Sequence, residues 1–345
     1  MHVPSGAVPT RGAGQPGATR VAALAALALA GCEGAPTCLR TSGYIGDREA
    51  TLGWVLVVIA SAVVVVIAVL VPVAIYRRRP GGSDLQREEG GLSWIYIGGI
   101  AVPALILIGV TIYSLAVLRE VARPPSEPAM TVQVIGHTWW WEVHYPGQAP
   151  GDLVTVANEI HIPVGRPVRL ELSTADVIHS FWFPQLAGKT DLIPGQRNVA
   201  WIEARTAGTY WGHCAEYCGQ QHANMMMSVV ADPPAQFARW LQDQRQPAAE
   251  PTAAAIDSGR AVFTRSACAV CHTIRGTDAG GALGPDLTHV GSRRTIAAGT
   301  LPNNVGNLAG WIGNPQALKP GVIMPAVPLR PEELHAVVSY LHSLQ

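Results

Sequence analysis

Two long apolar runs stand in the first third of the chain. Residues 54–76 are 23 residues without a charge, and residues 94–118 are 25 more. Each run exceeds the roughly 20 residues that a helix needs to cross a bilayer, and tryptophan and tyrosine stand near the ends, where interfacial aromatic side chains are common. The pattern predicts a hairpin of two transmembrane helices over residues 53–120. Two buried helices of a soluble protein are the alternative.

The short loop between the two apolar runs is basic. It contains Arg77, Arg78, Arg79 and Arg87. Because membrane loops rich in arginine and lysine stay on the cytoplasmic side, we expect this loop in the cytoplasm. The N-terminal flank and the long C-terminal part then face outward.

Short alternating runs of apolar and polar residues follow the hairpin. A proline-rich stretch at 123–128 predicts a stiff linker. After it, alternation broken by glycine and proline predicts strands in T-V-Q-V-I, V-T-V-A-N-E-I-H-I, V-R-L-E-L-S, R-N-V-A-W-I-E-A and M-S-V-V. We therefore expect an antiparallel β-sandwich or barrel over 129–232, with a short closing helix at 233–246.

The last hundred residues have a helical pattern. Residues 247–255 are rich in proline and alanine and predict a linker. Helices are expected at 256–266 and at 331–344, the second with Pro331 at its start and two glutamates in its first turn. Tyr340 would lie near the apolar face of this second helix, packed in the core or against a bound group. The pattern predicts an all-α domain over 256–345.

Composition adds little about partners. The 24 basic and 24 acidic residues balance, so no strongly charged partner such as nucleic acid is indicated. At the N-terminus, Arg11 and Arg20 precede an apolar stretch that is too short to span a membrane. That arrangement suits a signal peptide, which we place at 1–31.

The end of this segment contains a cysteine motif. The sequence L-A-G-C, ending at Cys32, resembles the lipobox of bacterial lipoproteins, in which the cysteine is modified with lipid. Ordinary signal cleavage near this point and no cleavage are the alternatives. Cys38 remains unassigned, either free or paired with Cys32 where no lipid is added.

A cluster of soft metal ligands lies in W-G-H-C-A-E-Y-C-G-Q-Q-H-A-N-M. Cys214, Cys218, His222 and Met225 stand within twelve residues of one another. Thiolates with imidazole select copper, zinc or iron–sulfur. The spacing is unlike the C-x2-C of structural zinc sites, and a thioether favours copper over zinc. The segment predicts a soft-metal site, with a disulfide between the two cysteines as the alternative.

A second metal motif lies in the helical domain. Cys268-Ala-Val-Cys271-His272 is C-x-x-C-H, the attachment sequence of c-type haem. The cysteines would form thioethers with the haem, and the histidine would bind iron from one face. A thioredoxin-type redox pair is the alternative, but the adjacent histidine and the missing βαβ pattern disfavour it. Met324 is the expected second iron ligand, and the rival positions are His289, His335 and His342.

The copper-type segment resembles that of cytochrome c oxidase subunit II, together with D-x-x-H-S at 176–180. In that family two bridging thiolates hold two copper ions in a centre named CuA. The resemblance implies Cys214 and Cys218 as the bridging thiolates. It also implies imidazole ligands, a weak thioether ligand and a backbone carbonyl ligand, which correspond here to His179, His222, Met225 and Glu216. In the family the carboxylate at the Glu216 position also reaches a magnesium ion.

Another segment resembles the same family. G-H-T-W-W-W-E at 136–142 is similar to the stretch whose first tryptophan receives electrons from cytochrome c. Trp139 is the matching residue. The alternative for all three tryptophans is packing, which we expect for Trp140 and Trp141.

With its haem motif, the chain resembles subunit II of caa3-type oxidases, which have a fused C-terminal cytochrome c domain. The resemblance implies a multidomain membrane protein: a two-helix transmembrane hairpin, an all-β cupredoxin-like sandwich and an all-α cytochrome c domain. It implies electron transfer through covalently bound haem c to dinuclear CuA, and on to the haem–copper site of subunit I. There oxygen is reduced to water, coupled to proton translocation.

The same resemblance implies partners and a location. The partners are subunit I, subunit III and, as electron donor, cytochrome c or quinol–cytochrome c reductase. The location is the bacterial cytoplasmic membrane, with both metal domains on the outer side. Three other classes share part of the pattern: quinol oxidase subunit II, which would not need the cysteines, nitrous-oxide reductase, which should have a large catalytic domain, and a copper-storage protein, which would not need haem.

Overall fold

The computed structural model describes residues 37–77 and 92–345. The predicted signal peptide 1–31 lies outside the described residues, as do Cys32 and three of the four arginines of the basic loop. The expectations for those positions therefore remain predictions.

Two long helices begin the described chain. Helix α1 spans Tyr44–Tyr76 and α2 spans Leu92–Val121, and each is long and apolar enough to cross a membrane. Helix α1 begins well before the apolar run because its first turn packs on the β domain: Ile45 is buried there and the Gly46 amide donates to the Leu186 carbonyl. Because of this contact with the β domain, the helix begins earlier than the apolar pattern alone would predict.

Helix α2 has a π-helical stretch near its start. The stretch covers Ile95–Ala101 and ends just before Pro103. The Val102 amide bonds the Ile97 carbonyl, five residues back. Proline has no amide hydrogen to continue the α-helical ladder, so the hydrogen-bond register changes beside it.

Ten strands build two five-stranded sheets. One sheet has the order β3-β2-β1-β5-β8 and the other β4-β10-β9-β6-β7. Two strand pairs, β1 with β5 and β10 with β4, are parallel, so the expectation of a purely antiparallel sandwich was wrong. The strands are β1 Thr131–His137, β2 Trp140–Tyr145, β3 Val154–Ala157, β4 Glu159–Pro163, β5 Val168–Thr174, β6 His179–Phe183, β7 Ala187–Leu192, β8 Asn198–Ile202, β9 Gly208–Cys214 and β10 Met226–Asp232.

One predicted strand is divided between the two sheets. The run V-T-V-A-N-E-I-H-I forms β3 and β4, which are separated by Asn158 at φ 62. Asparagine tolerates this left-handed conformation better than most residues do. Its side-chain oxygen accepts a hydrogen bond from the Trp141 amide at 2.9 Å, which holds the crossing point against β2.

The apolar residues of the strands meet between the sheets. Burial alternates along β1 and β2, as expected for strands with one face in a core. Val132, Val134 and Trp141 are fully buried within this core. A second apolar cluster fills the C-terminal domain.

The C-terminal domain is helical, as predicted. Its last helix packs on its first, with Tyr340 edge-to-face against Phe263 at a ring separation of 6.3 Å. Of the two predicted roles for Tyr340, this supports core packing. The helices are α3 Pro234–Arg245, which closes the sandwich, and then α4 Ala254–Arg265, α5 Cys268–Cys271, α6 Val305–Gly313, α7 Pro315–Leu318 and α8 Pro331–Ser343. Two short strands, β11 Thr295–Ile296 and β12 Leu301–Pro302, lie between them.

Candidate metal centres

Side chains from three parts of the sandwich meet at one end of it. His179 begins β6, Cys214 ends β9, and Met225 immediately precedes β10. The loop after β9 supplies the remaining positions, among them Cys218 and then His222 at the start of a short 3-10 turn. The strand pairing of β9 with both β6 and β10 brings these sequence-distant residues together.

The predicted ligand atoms surround two thiols. The sulfurs of Cys214 and Cys218 are 3.8 Å apart. His179 Nδ1 lies 3.8 Å and the Glu216 carbonyl oxygen 3.2 Å from the Cys214 sulfur. The Cys218 sulfur lies 3.6 Å from His222 Nδ1 and 3.8 Å from the Met225 sulfur. The structure therefore brings all six predicted positions together.

These separations fit a metal site. Two ligands at about 2.3 Å from one tetrahedral ion, the usual metal–thiolate distance for zinc, are about 3.8 Å apart. Both cysteines are free thiols and buried. Soft sulfur, imidazole and thioether donors in a buried cluster suit copper. The residues present thus fit the copper site that the sequence predicts.

His179 is fixed by a carboxylate on its far side. Its Nε2 lies 2.8 Å from Asp176 Oδ1, and its Nδ1 faces Cys214. Asp176 Oδ2 accepts hydrogen bonds from the amide and the hydroxyl of Thr138 at 2.7 and 2.8 Å. Burial would raise the pKa of Asp176, but the bonds from His179 and Thr138 outweigh it and hold that pKa below its usual value. A carboxylate in this position orients a metal-binding imidazole.

The two thiols lie close enough to change each other's pKa. The hydrogen bond from Cys218 lowers the pKa of the Cys214 thiol well below its usual range. The same contact raises the pKa of Cys218, because a thiolate beside it resists a second negative charge. The thiolate is the metal-binding form of cysteine, so the site is prepared for a soft cation.

A largely apolar cavity of about 400 Å³ lies in the C-terminal domain. Cys268, Cys271 and His272 line it, and so does Met324. His289, whose two ring nitrogens lie within 3.0 Å of backbone carbonyls, is not among the described residues that line it. His335 and His342 are not among them either. The geometry favours Met324 over its three rivals.

His272 is oriented by its backbone surroundings. Its Nδ1 lies 2.8 Å from the Pro285 carbonyl, which leaves Nε2 as the ring nitrogen available to a ligand. Burial lowers the pKa of His272, so the ring is neutral and able to bind iron. A Cβ at Gly284 would lie 2.6 Å from the His272 ring, so only glycine allows this approach. These features fit the haem that C-x-x-C-H predicts.

Trp139 lies between the two candidate centres. It lines the cavity of the C-terminal domain, and its indole N–H donates to the Cys218 carbonyl at 2.9 Å. Of the neighbouring tryptophans, Trp140 also lines the cavity and stacks on His137 with ring centroids 4.3 Å apart, and Trp141 is fully buried in the sandwich. The burial of Trp141 fits the packing role that was expected for it.

Lys319 was missed at the sequence level. It is buried, and its amine donates to the carbonyls of Trp139 and Ala297. No motif surrounds this lysine, so only its rarity, as one of two lysines in the chain, distinguishes it. The side chain of Glu216, by contrast, is exposed and lies 3.8 Å from Lys189, the other lysine.

Family models match both globular parts. Residues 130–232 match "Cytochrome C oxidase subunit II, periplasmic domain", and residues 256–345 match "Cytochrome c". A cytochrome c oxidase subunit 2 of Alkalihalophilus pseudofirmus is 35% identical over 297 residues, which cover 84% of this chain and 85% of the relative. The chain belongs to the cytochrome c oxidase subunit II family. Its fused cytochrome c domain gives it the caa3-type arrangement.

Other relatives have the same description. A cytochrome c oxidase subunit 2 of Bacillus subtilis is 28% identical over 347 aligned positions, covering 94% of this chain and 96% of the relative. Among solved structures, the periplasmic domain of subunit II of the cytochrome oxidase of Bradyrhizobium japonicum is 28% identical. It covers 35% of this chain and 96% of that chain, with a TM-score of 0.33.

Membership of this family establishes the coarse function. The chain is an oxidoreductase component that supports electron transfer in a haem–copper oxidase. The predicted fold class is confirmed: two apolar helices, a cupredoxin-like β-sandwich and a cytochrome c domain. The two domain matches indicate copper and haem c as cofactors. It follows that the protein is anchored in a membrane, with periplasmic domains and with partner subunits such as subunit I.

Proposed function

We propose that this chain receives the electrons of a respiratory cytochrome c oxidase and delivers them to its catalytic subunit. It accepts them at a haem c attached to Cys268 and Cys271, with His272 and Met324 as iron ligands. It passes them through a dinuclear CuA centre to the haem–copper site of subunit I. Oxygen is reduced to water there, coupled to proton translocation.

The copper ligands are the residues of the buried cluster. Cys214 and Cys218 would hold two copper ions through their thiolates, because only a thiolate pair among these donors can share electron density between two soft cations. The remaining ligands are His179, His222, the Met225 thioether and the Glu216 backbone carbonyl. The carboxylate of Glu216, which is exposed, is the proposed ligand of a magnesium ion shared with subunit I.

The contact made by Trp139 is the observation that carries this proposal. One side of the residue lines the haem-type cavity, and its indole donates to the backbone of a copper ligand, Cys218. The two sets of metal-binding residues therefore meet within one chain. A tether of about ten residues gives an effective concentration on the order of millimolar, so the fused domain outcompetes a weakly docking soluble cytochrome as donor to copper.

The chain's own residues prepare both centres. The sandwich buries four of the proposed copper ligands, His179, Cys214, Cys218 and Met225, which limits the access of water to them and keeps their positions fixed on electron transfer. Asp176 keeps the Nδ1 of His179 directed at the thiols. The Pro285 carbonyl orients the ring of His272 in the same way, through its contact with Nδ1.

The remaining features are proposed from the sequence. The domain limits are 1–31 for the signal peptide, 53–120 for the transmembrane hairpin, 129–232 for the CuA domain and 256–345 for the cytochrome, with 247–255 as linker. Cys32 is the proposed lipid attachment point. The complex also contains subunit III, and cytochrome c or quinol–cytochrome c reductase donates electrons at the outer face of the bacterial cytoplasmic membrane.

Metal analysis of the purified complex tests the copper assignment. We expect about two coppers of CuA type per chain and a multi-line EPR signal from one electron shared between them, as soft thiolate bridging allows. Cys218→Ser removes the shared-valence signal, whereas Cys38→Ser, at an exposed cysteine, retains it. One copper per chain with a four-line signal would contradict the dinuclear assignment.

Changing the haem domain tests the electron route. Replacing His272 should stop oxygen consumption with the native donor and leave the copper spectrum intact. The full complex with an unaltered chain is the reference. Normal respiration after removal of residues 247–345 would show that electrons reach copper by another route.

A further inference from the structure

The C-terminal domain rests directly on the copper-ligand loop. The Met226 amide, next to the ligand Met225, donates to the Ala298 carbonyl at 3.0 Å. In the same loop, the Gln221 side chain donates to the Pro320 carbonyl at 2.7 Å. The docked segments, 297–300 and 319–321, therefore contact the loop whose geometry defines the copper site.

The turn that makes this contact has an uncommon backbone. Ala297 and Ala298 both have positive φ, 53 and 56, followed by Gly299 at 77. Residues other than glycine are uncommon in this region, because the Cβ crowds the backbone there. A Cβ at Gly299 would lie 2.7 Å from the Cβ of Met226. This conformation presents the Ala298 carbonyl to the Met226 amide of the copper domain and the Ala297 carbonyl to the amine of Lys319.

Lys319 joins this turn to the other candidate path residue. Its amine donates to the Ala297 carbonyl at 3.1 Å and to the Trp139 carbonyl at 3.0 Å. The side chain is 2% exposed, and within residues 37–77 and 92–345 no carboxylate forms an ion pair with it. Burial lowers its pKa to about 8. Lys319 also lines the cavity of the C-terminal domain. Among the described residues, the hydrogen-bond acceptors of its amine are these two carbonyls, which points to a role at the contact that they form.

We propose that Lys319 is the positioning residue that holds the fused cytochrome domain on Trp139, so that domain motion does not limit electron transfer to copper. Of its two acceptors, one belongs to the sandwich and one to the C-terminal domain. Ammonium offers three donors on a flexible stem, which lets one side chain serve two carbonyls on different domains. This inference rests on the proposed electron route and adds the residue that fixes it.

Amine labelling of the intact oxidase tests the docked state. The chain has two lysines, Lys189 and Lys319, and the reference is Lys319 itself in the complex denatured in urea. With N-hydroxysuccinimidyl acetate and mass spectrometry, we expect Lys319 to react at least about tenfold more slowly in the native complex than in the denatured one, because its amine reacts only when the contact opens. Equal or faster labelling of Lys319 in the native complex would overturn the proposal.

The variant Lys319→Met tests the positioning role, with Arg239→Met as control. The control removes a positive charge from an exposed position on α3. In Lys319→Met, amide exchange at Met226 should rise about tenfold or more, since loss of charge-assisted hydrogen bonds enlarges the open population. Haem-to-copper transfer should become slower and viscosity-dependent. Arg239→Met should match the wild type in both measurements.

The comparison separates this inference from the proposed function. The haem and copper spectra of Lys319→Met should equal those of the wild type, because neither ligand set is changed. Loaded centres with unchanged exchange and unchanged transfer would overturn the role of Lys319 alone. Absent copper or haem in the wild-type complex would overturn the proposed function. Gly299→Ala crowds Met226 and should therefore open the same contact by a second route. Lys319 should become accessible to labelling in this variant, and continued protection of Lys319 would count against the proposal.

Discussion

Asp176→Asn isolates the carboxylate behind the copper-binding imidazole. In the wild type, one carboxylate oxygen faces His179 Nε2 at 2.8 Å, and the other accepts both the amide and the hydroxyl of Thr138. Because His179 Nδ1 is directed at the thiols, Nε2 must be the protonated nitrogen. Both carboxylate oxygens therefore face donors.

Asparagine cannot satisfy both sides. Its amide group has one acceptor oxygen and one NH₂ donor group, so either His179 or Thr138 must face a donor. Loss of an outer carboxylate of this kind typically lowers metal affinity about 10–100-fold, or about 1.4–2.8 kcal/mol at 1.4 kcal/mol per tenfold. We expect that reduction for copper in Asp176→Asn, with the same ligand set still bound at saturating metal.

Copper titration against a competing chelator measures this change. Glu171→Gln is the control, because Glu171 is a carboxylate of β5 that pairs with Arg169 and Arg197 and not with a ligand. The control should bind copper as the wild type does. Equal affinity of Asp176→Asn and the wild type would refute the orienting role and leave Asp176 as a loop residue.

Three further predictions concern other parts of the chain. Met324→Ala should abolish the weak far-red absorption of Met-ligated ferric haem and lower the potential; an unchanged band would exclude Met324 as ligand. Trp139→Phe keeps an aromatic ring but removes the indole N–H that donates to the Cys218 carbonyl. The variant should slow haem-to-copper transfer without changing metal content, and unchanged rates would mean that Trp139 has only a packing role. Glu142 is partly buried, which raises its pKa, but hydrogen bonds from His137 and His144 outweigh burial and lower the pKa from 4.5 to about 2. The stability it contributes is present above pH 4.5 and lost as pH falls toward 2, about 3 kcal/mol for a pKa lowered by about 2.5 at 1.36 kcal/mol per unit. Glu142→Gln should therefore flatten the acid limb of an unfolding curve, and an identical limb would contradict the assignment.

The candidate ligands were predictable where they lie close together in the sequence. Cys214 to Met225 form one loop, and Cys268 to His272 one turn, so spacing alone indicates shared geometry. His179 is different, because 35 residues separate it from the cysteine it approaches. Only the family resemblance of its motif placed it in the site.

The strand pattern predicted the class of the β domain but not its crossings. Alternation continues through Asn158 without a break, yet the chain changes sheets there. The deciding features are the positive φ of Asn158 and its bond to the Trp141 amide, and the second of these is a tertiary contact. Likewise, the early start of α1 depends on Leu186, far away in sequence. Local patterns do not contain such information.

The contact between the two domains was not predictable because it uses backbone acceptors. Carbonyls of Trp139, Ala297, Ala298 and Pro320 accept its hydrogen bonds, and every residue type has a carbonyl. Two of the bonds involve the copper-ligand loop itself, one of them at the amide next to Met225. A shift of the cytochrome domain therefore also moves backbone beside a proposed copper ligand. Docking should be detectable in the copper domain as slowed exchange of the Met226 amide, whose partner is the Ala298 carbonyl, with the copper ligand set and its spectrum unchanged.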